Sequence, residues 1–337
     1  MEFELPETAC SEARSAWYRY FEQVMAFRPE LHRYCRRLTG DPWDAEDLIQ
    51  DTFLRGFGKL GSVNHRIDNP RAYLLRIATN LWVDTQRRRA AEMSALETKA
   101  YQGSLGDADA TSQADPDEVR SAATALLQRL SPQERACLLL KDVFDMDLQE
   151  TATVLGTTVG AVKAALHRGR GRLDAAEAIT HLNRPLPSAQ VIDQFVDRYN
   201  ARDLRGLLAL MLDTASIDLM GLDLEVGRSA FERERGWFHH NLYGPPGWPA
   251  GQPFPARWQR ATFRGEQVAL VFNADFEGRE ALSSVMRFEE CEGKIAGVRV
   301  YAMCPETVRE VGDELGCPTI ADPYALVTFI LSLARGH

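Results

Sequence analysis

The sequence predicts a multidomain chain: two all-α units, the second built on a helix-turn-helix, followed by an α+β domain. Three observations carry that reading. Residues 12–91 place apolar side chains at helical spacing and show no strand alternation. Residues 92–118 break the pattern with seven acids, one lysine and the run GSLGDADATSQADPD. Beyond the boundary NRPLP at 183–187, two amphipathic helices give way to alternating segments such as ASIDLMGL, QVALVFNADF and KIAGVRVYAM.

In the first unit, helices are expected over residues 17–27, 29–38, 42–57 and 70–89. The third contains DAEDLIQDTF. There Ala45, Leu48, Ile49, Phe53 and Phe57 form one apolar stripe, and Asp44, Asp47, Asp51 and Arg55 line up beside it. Five acids (Asp41, Asp44, Glu46, Asp47, Asp51) fall within eleven residues. A solvated helix face is the plain explanation, and acids near a helix start suit its dipole. The fourth helix has a clear start, with Asn69 as cap and Pro70 at the first helical position. Residues 92–118 are expected to be a flexible acidic linker, after which helices resume over 119–129, 132–144, 148–155 and 159–178.

The composition, 45% hydrophobic and 26% charged over 337 residues, is that of an ordinary globular protein. No apolar run reaches membrane-span length, and the acidic start MEFELPETACSEARS is not a signal peptide, so a cytoplasmic location without membrane contact is expected. Six scattered cysteines read as reduced thiols. His32 and Cys35 lack the further ligands a metal needs, and neither metal nor cofactor is expected. The net charge of −9 conceals two basic islands. Arg66, Arg71, Arg76, Arg87, Arg88 and Arg89 face only Asp68 and Asp84 between residues 63 and 91; Lys163, Arg168, Arg170 and Arg172 face no acid at all between 151 and 173. Local patches, more than totals, set how a protein meets phosphate.

The second island, DLQETATVLGTTVGAVKAALHRGRGRL, reads as helix, glycine-containing turn, helix. Leu148, Ala152 and Leu155 would meet Val159, Val162 and Leu166, with Thr157 or Thr158 as cap. The outer face then carries Lys163, His167 and Arg170, with Arg168 and Arg172 alongside. Small residues at a helix start with cations further along suit a DNA major groove. The first island, PRAYLLRIATNLWVDTQRRR, is longer. Tyr73, Ile77 and Leu81 form its core stripe, while Arg76, Asn80, Asp84 and Arg87 run along another side, where amides and arginines suit unpaired bases. Trp82 reads as core filler.

The order DAEDLIQDTF, NPRAYLLRIATNLWVDTQRRR, linker, LSPQERACLLLKDVFDMDLQETATVLGTTVGAVKAALHRGRGRL resembles the sigma-70 family, in particular its small extracytoplasmic-function group. The resemblance implies sigma region 2 over 12–91, a linker over 92–118 and sigma region 4 over 119–178. It implies promoter-specific transcription initiation, with core RNA polymerase as partner through its β′ clamp helices and β flap, and promoter DNA as the second partner. Asp47, Leu48, Gln50 and Asp51 become core-binding residues. Asn64 and His65 in the loop 61–69, together with Arg76, Asn80, Arg87 and Arg88, become contacts to the −10 element, the loop holding a flipped base. Thr158, Lys163, His167, Arg168 and Arg170 become contacts to the −35 element. The chain departs from the family at Ala164-Ala165, where Ser-Arg is frequent, which implies altered −35 recognition.

Residues 185–337 are acidic, with twenty-one Asp and Glu against fifteen Arg and Lys. Their segment VIDQFVDRYNARDLRGLLALMLDTASIDLMG resembles the cone-shaped nuclear-transport-factor-2-like fold, also found in polyketide cyclases. That fold implies a pocket between curled sheet and helices, open to an unidentified small ligand. The domain is expected to regulate the chain and not to be an enzyme. Asp218, His239 and His240 are the candidates for an acid–base pair, and they carry no convincing i±4 support. GPPGWPAGQPFP (244–255) is a lid or a linker, and the tail after Cys304 is expected to form one or two helices. Two alternatives stand beside the sigma reading: a helix-turn-helix regulator with a ligand-binding domain, and a small-molecule isomerase or cyclase with accessory helices. The first leaves residues 15–91 without a role, and the second explains only the last third.

Overall fold

The computed structural model describes residues 7–60, 67–99, 127, 130–173, 186–220, 223–227, 231–232, 237–243, 256–275 and 277–320. The chain divides into two compact units, residues 1–181 and 182–337.

Four helices open the first unit: α1 (Glu7–Met25), α2 (Arg28–Thr39), α3 (Pro42–Leu60) and α4 (Pro70–Lys99). The chain reverses between α2 and α3 within two residues, each with its own device. Gly40 takes φ 81°, the left-handed conformation open to glycine, and donates its N–H to the Arg36 carbonyl. Asp41 Oδ1 then accepts the N–H groups of Trp43 and Asp44, both at 2.9 Å, satisfying donors at the start of α3. Aromatic edges join α1 to α3: Phe21 meets Phe53 at 5.8 Å, and Trp17 meets Phe57 at 5.2 Å. Tyr34 on α2 hydrogen-bonds Thr79 on α4 at 2.7 Å in the interior. The Asn69 cap is present, its Oδ1 accepting the Ala72 N–H at 3.0 Å. The fourth helix does not stop near residue 89. It runs on to Lys99, spanning about 45 Å. Composition places a linker from 92, but AAEMSALETK is made of strong helix formers, and no glycine occurs before Gly103. The acidic run that follows, and nearly all of the helix expected at 119–129, lie outside the described residues.

The helix-turn-helix begins with α5 (Pro132–Leu138), started by a capping box between Ser131 and Glu134. A single helix was expected to continue through 144. Instead a π-helical turn occupies Leu139–Val143, and the Phe144 N–H reaches back five residues to the Leu139 carbonyl at 3.0 Å. The widened turn seats Phe144 edge-on to Tyr34, 5.6 Å away. α6 (Leu148–Leu155) has a second capping box, Asp147 with Glu150, and ends at Gly156 with φ 61°. α7 (Val159–Leu173) follows. Leu138, Ala152, Val162 and Leu166 form the small core the spacing predicts, with Leu148, Leu155 and Val159 packed on it.

The second unit starts with α8 (Ala189–Asn200) and α9 (Leu204–Leu210), then β1 (Met211–Leu219), β2 (Asp223–Val226), α10 (Trp237–Tyr243), β3 (Arg257–Phe263), β4 (Glu266–Ala274), β5 (Glu280–Cys291), β6 (Lys294–Tyr301) and α11 (Pro305–Leu315). The six strands form one open sheet in the order β2-β1-β6-β5-β4-β3. The expected sheet was antiparallel; β1 and β6 pair in parallel. The last strand inserts between β1 and β5, and the whole stretch from β2 to β5 serves as the long crossover that parallel neighbours require. Phe195 and Tyr199 of α8, Leu207 of α9 and Leu242 of α10 cover one sheet face. β4 and the first two thirds of β5 are buried on both faces, so VALVF reads as an unbroken apolar run and β5 carries buried Ser283 and Ser284 between apolar residues.

Candidate polymerase and nucleic-acid interfaces

The five acids clustered between residues 41 and 51 are placed differently. Asp41 caps α3. Glu46 is fully buried and accepts a hydrogen bond from Arg28 Nη2 of α2 at 2.7 Å, with His32 Nε2 3.8 Å from its other oxygen. Asp44 lies 3.6 Å from Arg89 of α4. Asp47 is half-buried and Asp51 exposed, farther along the same helix. One turn beyond them stands Leu54, 56% exposed, in line at i+3 from Asp51 and i+7 from Asp47. An exposed apolar side chain with acids one and two turns before it suits a partner bearing both apolar and basic groups. Leu54 was not singled out from the sequence because it lies one position off the main apolar stripe.

Leu48, expected above as a core-binding residue, is buried, as is Ile49 beside it, and both anchor the helix in the core. Gln50 differs from expectation. It is 6% exposed, and its amide nitrogen and oxygen have no hydrogen-bond partner among the described residues. Each such orphan costs about 1–3 kcal/mol. Cys35 is wholly buried, and that burial, followed by the nearby Glu46 charge, holds its thiol well above its usual pKa. No cluster of three metal-ligating side chains occurs among the described residues.

On α4, Arg76, Asn80, Asp84, Arg87 and Arg88 are exposed along one side. Arg87 lies 3.9 Å from Asp84, a loose surface pair, and Arg88 Nε donates to the Asp84 carbonyl at 3.5 Å. These cations stay available to phosphate. Trp82 is buried, as expected of a core residue. Asn64 and His65 lie outside the described residues.

On α7, Thr158 is the cap, its Oγ1 accepting the Ala161 N–H at 3.2 Å. Lys163 and His167 are exposed. The two arginines beyond them are engaged within the unit. Arg168 Nε donates to buried Glu134 at 3.1 Å, and Arg170 grips Asp142 through two bonds of 3.2 and 2.7 Å. Lys163→Ala is therefore expected to weaken promoter binding and lower the slope of log K against log salt by about one, as measured by fluorescence anisotropy across a salt series. Arg168→Ala should act differently. It leaves Glu134 buried without its cation, so the main loss is about 1–3 kcal/mol of stability in thermal melts, with a smaller change in salt slope.

In the second unit, aromatic rings pack between α8 and the sheet among the described residues. Phe195 stands edge-on to Phe288 at 4.9 Å, and Tyr199 stacks on Trp258 at 3.6 Å. A small cleft lies elsewhere, between α11 and β5, lined by Leu282, Ser283, Val308, Thr319 and Ile320. The acid–base candidates do not converge. Ala215, Ile217 and Leu219 of β1 point into the core that also holds Leu242 of α10, so Asp218 points to the opposite sheet face from the helix carrying His239. The side chain of His240 and the segments 244–255 and 321–337 lie outside the described residues.

Residues 23–92 match the family profile of Sigma-70 region 2, and residues 120–173 match that of Sigma-70, region 4. The RNA polymerase sigma-E factor of Streptomyces coelicolor is 35% identical over 156 residues, covering 45% of this chain and 83% of that protein. The extracytoplasmic-function (ECF) RNA polymerase sigma factor SigG of Mycobacterium tuberculosis is 33% identical over 217 residues, covering 55% of this chain and 56% of SigG. The chain thus spans about half the length of SigG. Among solved structures, the sigma factor RpoE in complex with the anti-sigma factor NepR from Bartonella quintana aligns at TM-score 0.36 and 22% identity, covering 46% of this chain and 94% of that one. The M. tuberculosis extracytoplasmic-function sigma factor SigJ aligns at TM-score 0.31 and 20% identity, covering 91% and 98%. The chain belongs to the extracytoplasmic-function sigma factors of the sigma-70 family.

Proposed function

We propose that this chain binds core RNA polymerase and directs initiation at its own class of promoters, with residues 185–337 regulating that activity. The observation that carries this reading is the partition of charge in the first unit: an acidic, leucine-centred face on α3, and separate cationic faces on α4 and α7. Opposite charges on different helices of one unit suit two different partners. Asp47, Asp51 and Leu54 would meet a basic protein surface, the β′ clamp helices. There complementary charge sets orientation and rate. Arg76, Asn80, Arg87 and Arg88 would meet the −10 element, and Lys163 and His167 the −35 element, with Thr158 at the entry of α7. Such a protein works in the cytoplasm, and no described helix is long and apolar enough to cross a membrane.

The test is transcription in vitro from genomic fragments with purified core polymerase. Specific transcripts are expected only when the chain is added. Asn80→Ala should leave closed-complex binding within about twofold but reduce permanganate reactivity of the −10 region several-fold, because one amide contact to an unpaired base is lost. Normal melting would exclude that role for Asn80. For the second unit, deletion of residues 185–337 should change transcription at a cognate promoter several-fold, upward if that unit restrains the sigma regions through a bias in their arrangement. A truncated chain that transcribes like the intact one would make the second unit a passenger.

A further inference from the structure

The cations of α7 are not equivalent. Lys163, His167 and Arg170 stand at i, i+4 and i+7, one stripe along the exposed side of the helix. Lys163 and His167 form no ion pair among the described residues, whereas Arg170, at the end of the stripe, is held by Asp142. Its Nη2 and Nε donate to the two carboxylate oxygens at 2.7 and 3.2 Å. Asp142 comes from the π-helical turn Leu139–Val143, a distortion of a kind that recurs at functional sites. Lys141, the one cation in that turn, lies 4.0 Å from Asp145, which leaves the Asp142 carboxylate to Arg170. Close packing sets the reach. A Cβ on Gly169 would lie 2.8 Å from Cδ1 of Leu138, so α7 runs tight against α5 between Arg168 and Arg170.

Burial separates the two arginines that flank Gly169. The Glu134 side chain is 3% exposed, so Arg168 cannot leave it without stranding a carboxylate inside the unit. The side chains of Arg170 and Asp142 are 57% and 37% exposed, and water solvates either one on separation. An ion pair of that kind adds little to stability. Its effect on charge is larger. When Arg170 exchanges a carboxylate for a phosphate, no net ion pair is gained, and the freed carboxylate is left facing the phosphate chain. A free guanidinium at the same place would add one full phosphate contact and release its counterion.

We propose that Asp142 is an internal competitor of the DNA phosphate for Arg170, a negative determinant that holds the affinity of α7 for duplex below what its own cations allow. The inference rests on the sigma reading for the place of this contact at the −35 element, and on the exposed pair alone for the competition itself.

The test is a double-mutant cycle on the full chain, read by fluorescence anisotropy across a salt series with a nonspecific duplex of about 20 base pairs as probe. Asp142→Asn keeps the shape of the side chain and removes its charge. It should raise affinity about fivefold at low salt and steepen the slope of log K against log salt by about one. The same substitution in an Arg170→Gln background should change affinity by less than about twofold. Circular dichroism should be unchanged in all three variants, because both partners are solvated. An equal gain in both backgrounds overturns the proposal, since Asp142 would then act only as one more negative charge near DNA. A loss of affinity on Asp142→Asn also overturns it, because the carboxylate would then be positioning Arg170 for its contact. So do an unchanged affinity and a chain that binds no duplex with or without Asp142. The expected cycle in a chain that adds no transcription to core polymerase supports the competition and removes the sigma reading instead.

Discussion

Replacing Asp47 and Asp51 together by arginine is expected to cut affinity for core RNA polymerase by about two orders of magnitude or more while leaving the fold intact. Asp47 is half-buried and Asp51 exposed, two turns and one turn before exposed Leu54, while the cap and the buried ion pair of α3 are made by Asp41 and Glu46. Reversal does more than delete attraction. It sets arginine against a partner surface that the acids imply is basic, and like-charge contacts in an interface cost several kcal/mol in total. Surface substitution at half-buried or exposed positions changes stability by only about 0.5 kcal/mol. Binding by surface resonance with circular dichroism as control separates the two effects. Leu54→Ala should weaken binding by a smaller factor, since one aliphatic anchor is lost without repulsion.

Glu46→Ala, one position from Asp47, is expected to do the reverse: region 2 loses about 3–5 kcal/mol of stability, enough to unfold much of it at 37 °C. Glu46 and Arg28 are each fully buried, and the pair at 2.7 Å ties α3 to α2. Removing the carboxylate strands a guanidinium in the interior, the costly half of such a pair. Chemical denaturation would show a lower midpoint with little change in slope. The double variant Arg28→Met with Glu46→Leu removes both charges and should recover most of the loss. A single variant as stable as the parent would mean that the pair stabilises nothing. On this account two adjacent acids on one helix have opposite roles, Glu46 toward the core and Asp47, as proposed, toward a partner.

That division was only half visible in the amino-acid order. Period and composition were enough for the helical first unit, the Asn69-Pro70 start, the Gly156 turn and the two basic islands, because each is a local signal. Which acid turns inward was not local. Glu46 follows the polar pattern of its neighbours, and only the placement of Arg28 eighteen positions earlier makes it a core residue. The same holds on α7. Arg168 and Arg170 read as phosphate contacts in an acid-free stretch, yet Glu134 and Asp142 reach them from thirty-four and twenty-eight positions away. The parallel β1–β6 pair was hidden for a related reason: alternation reports that a strand is half-buried, not which neighbour it joins or in what direction. In β4 and β5, burial on both faces weakens even the alternation. Gln50 matches the polymerase-contact pattern of the family and is nonetheless inside, its amide unpaired among the described residues.

The most direct measurement is run-off transcription from a library of genomic fragments with purified core polymerase, comparing core alone, core with this chain, and core with the Asp47→Arg, Asp51→Arg variant. The expected result is a discrete set of start sites seen only with the unsubstituted chain, sharing a −35 and −10 pair at constant spacing, and absent with the variant. A folded chain that adds no start sites to those of core alone would contradict the account.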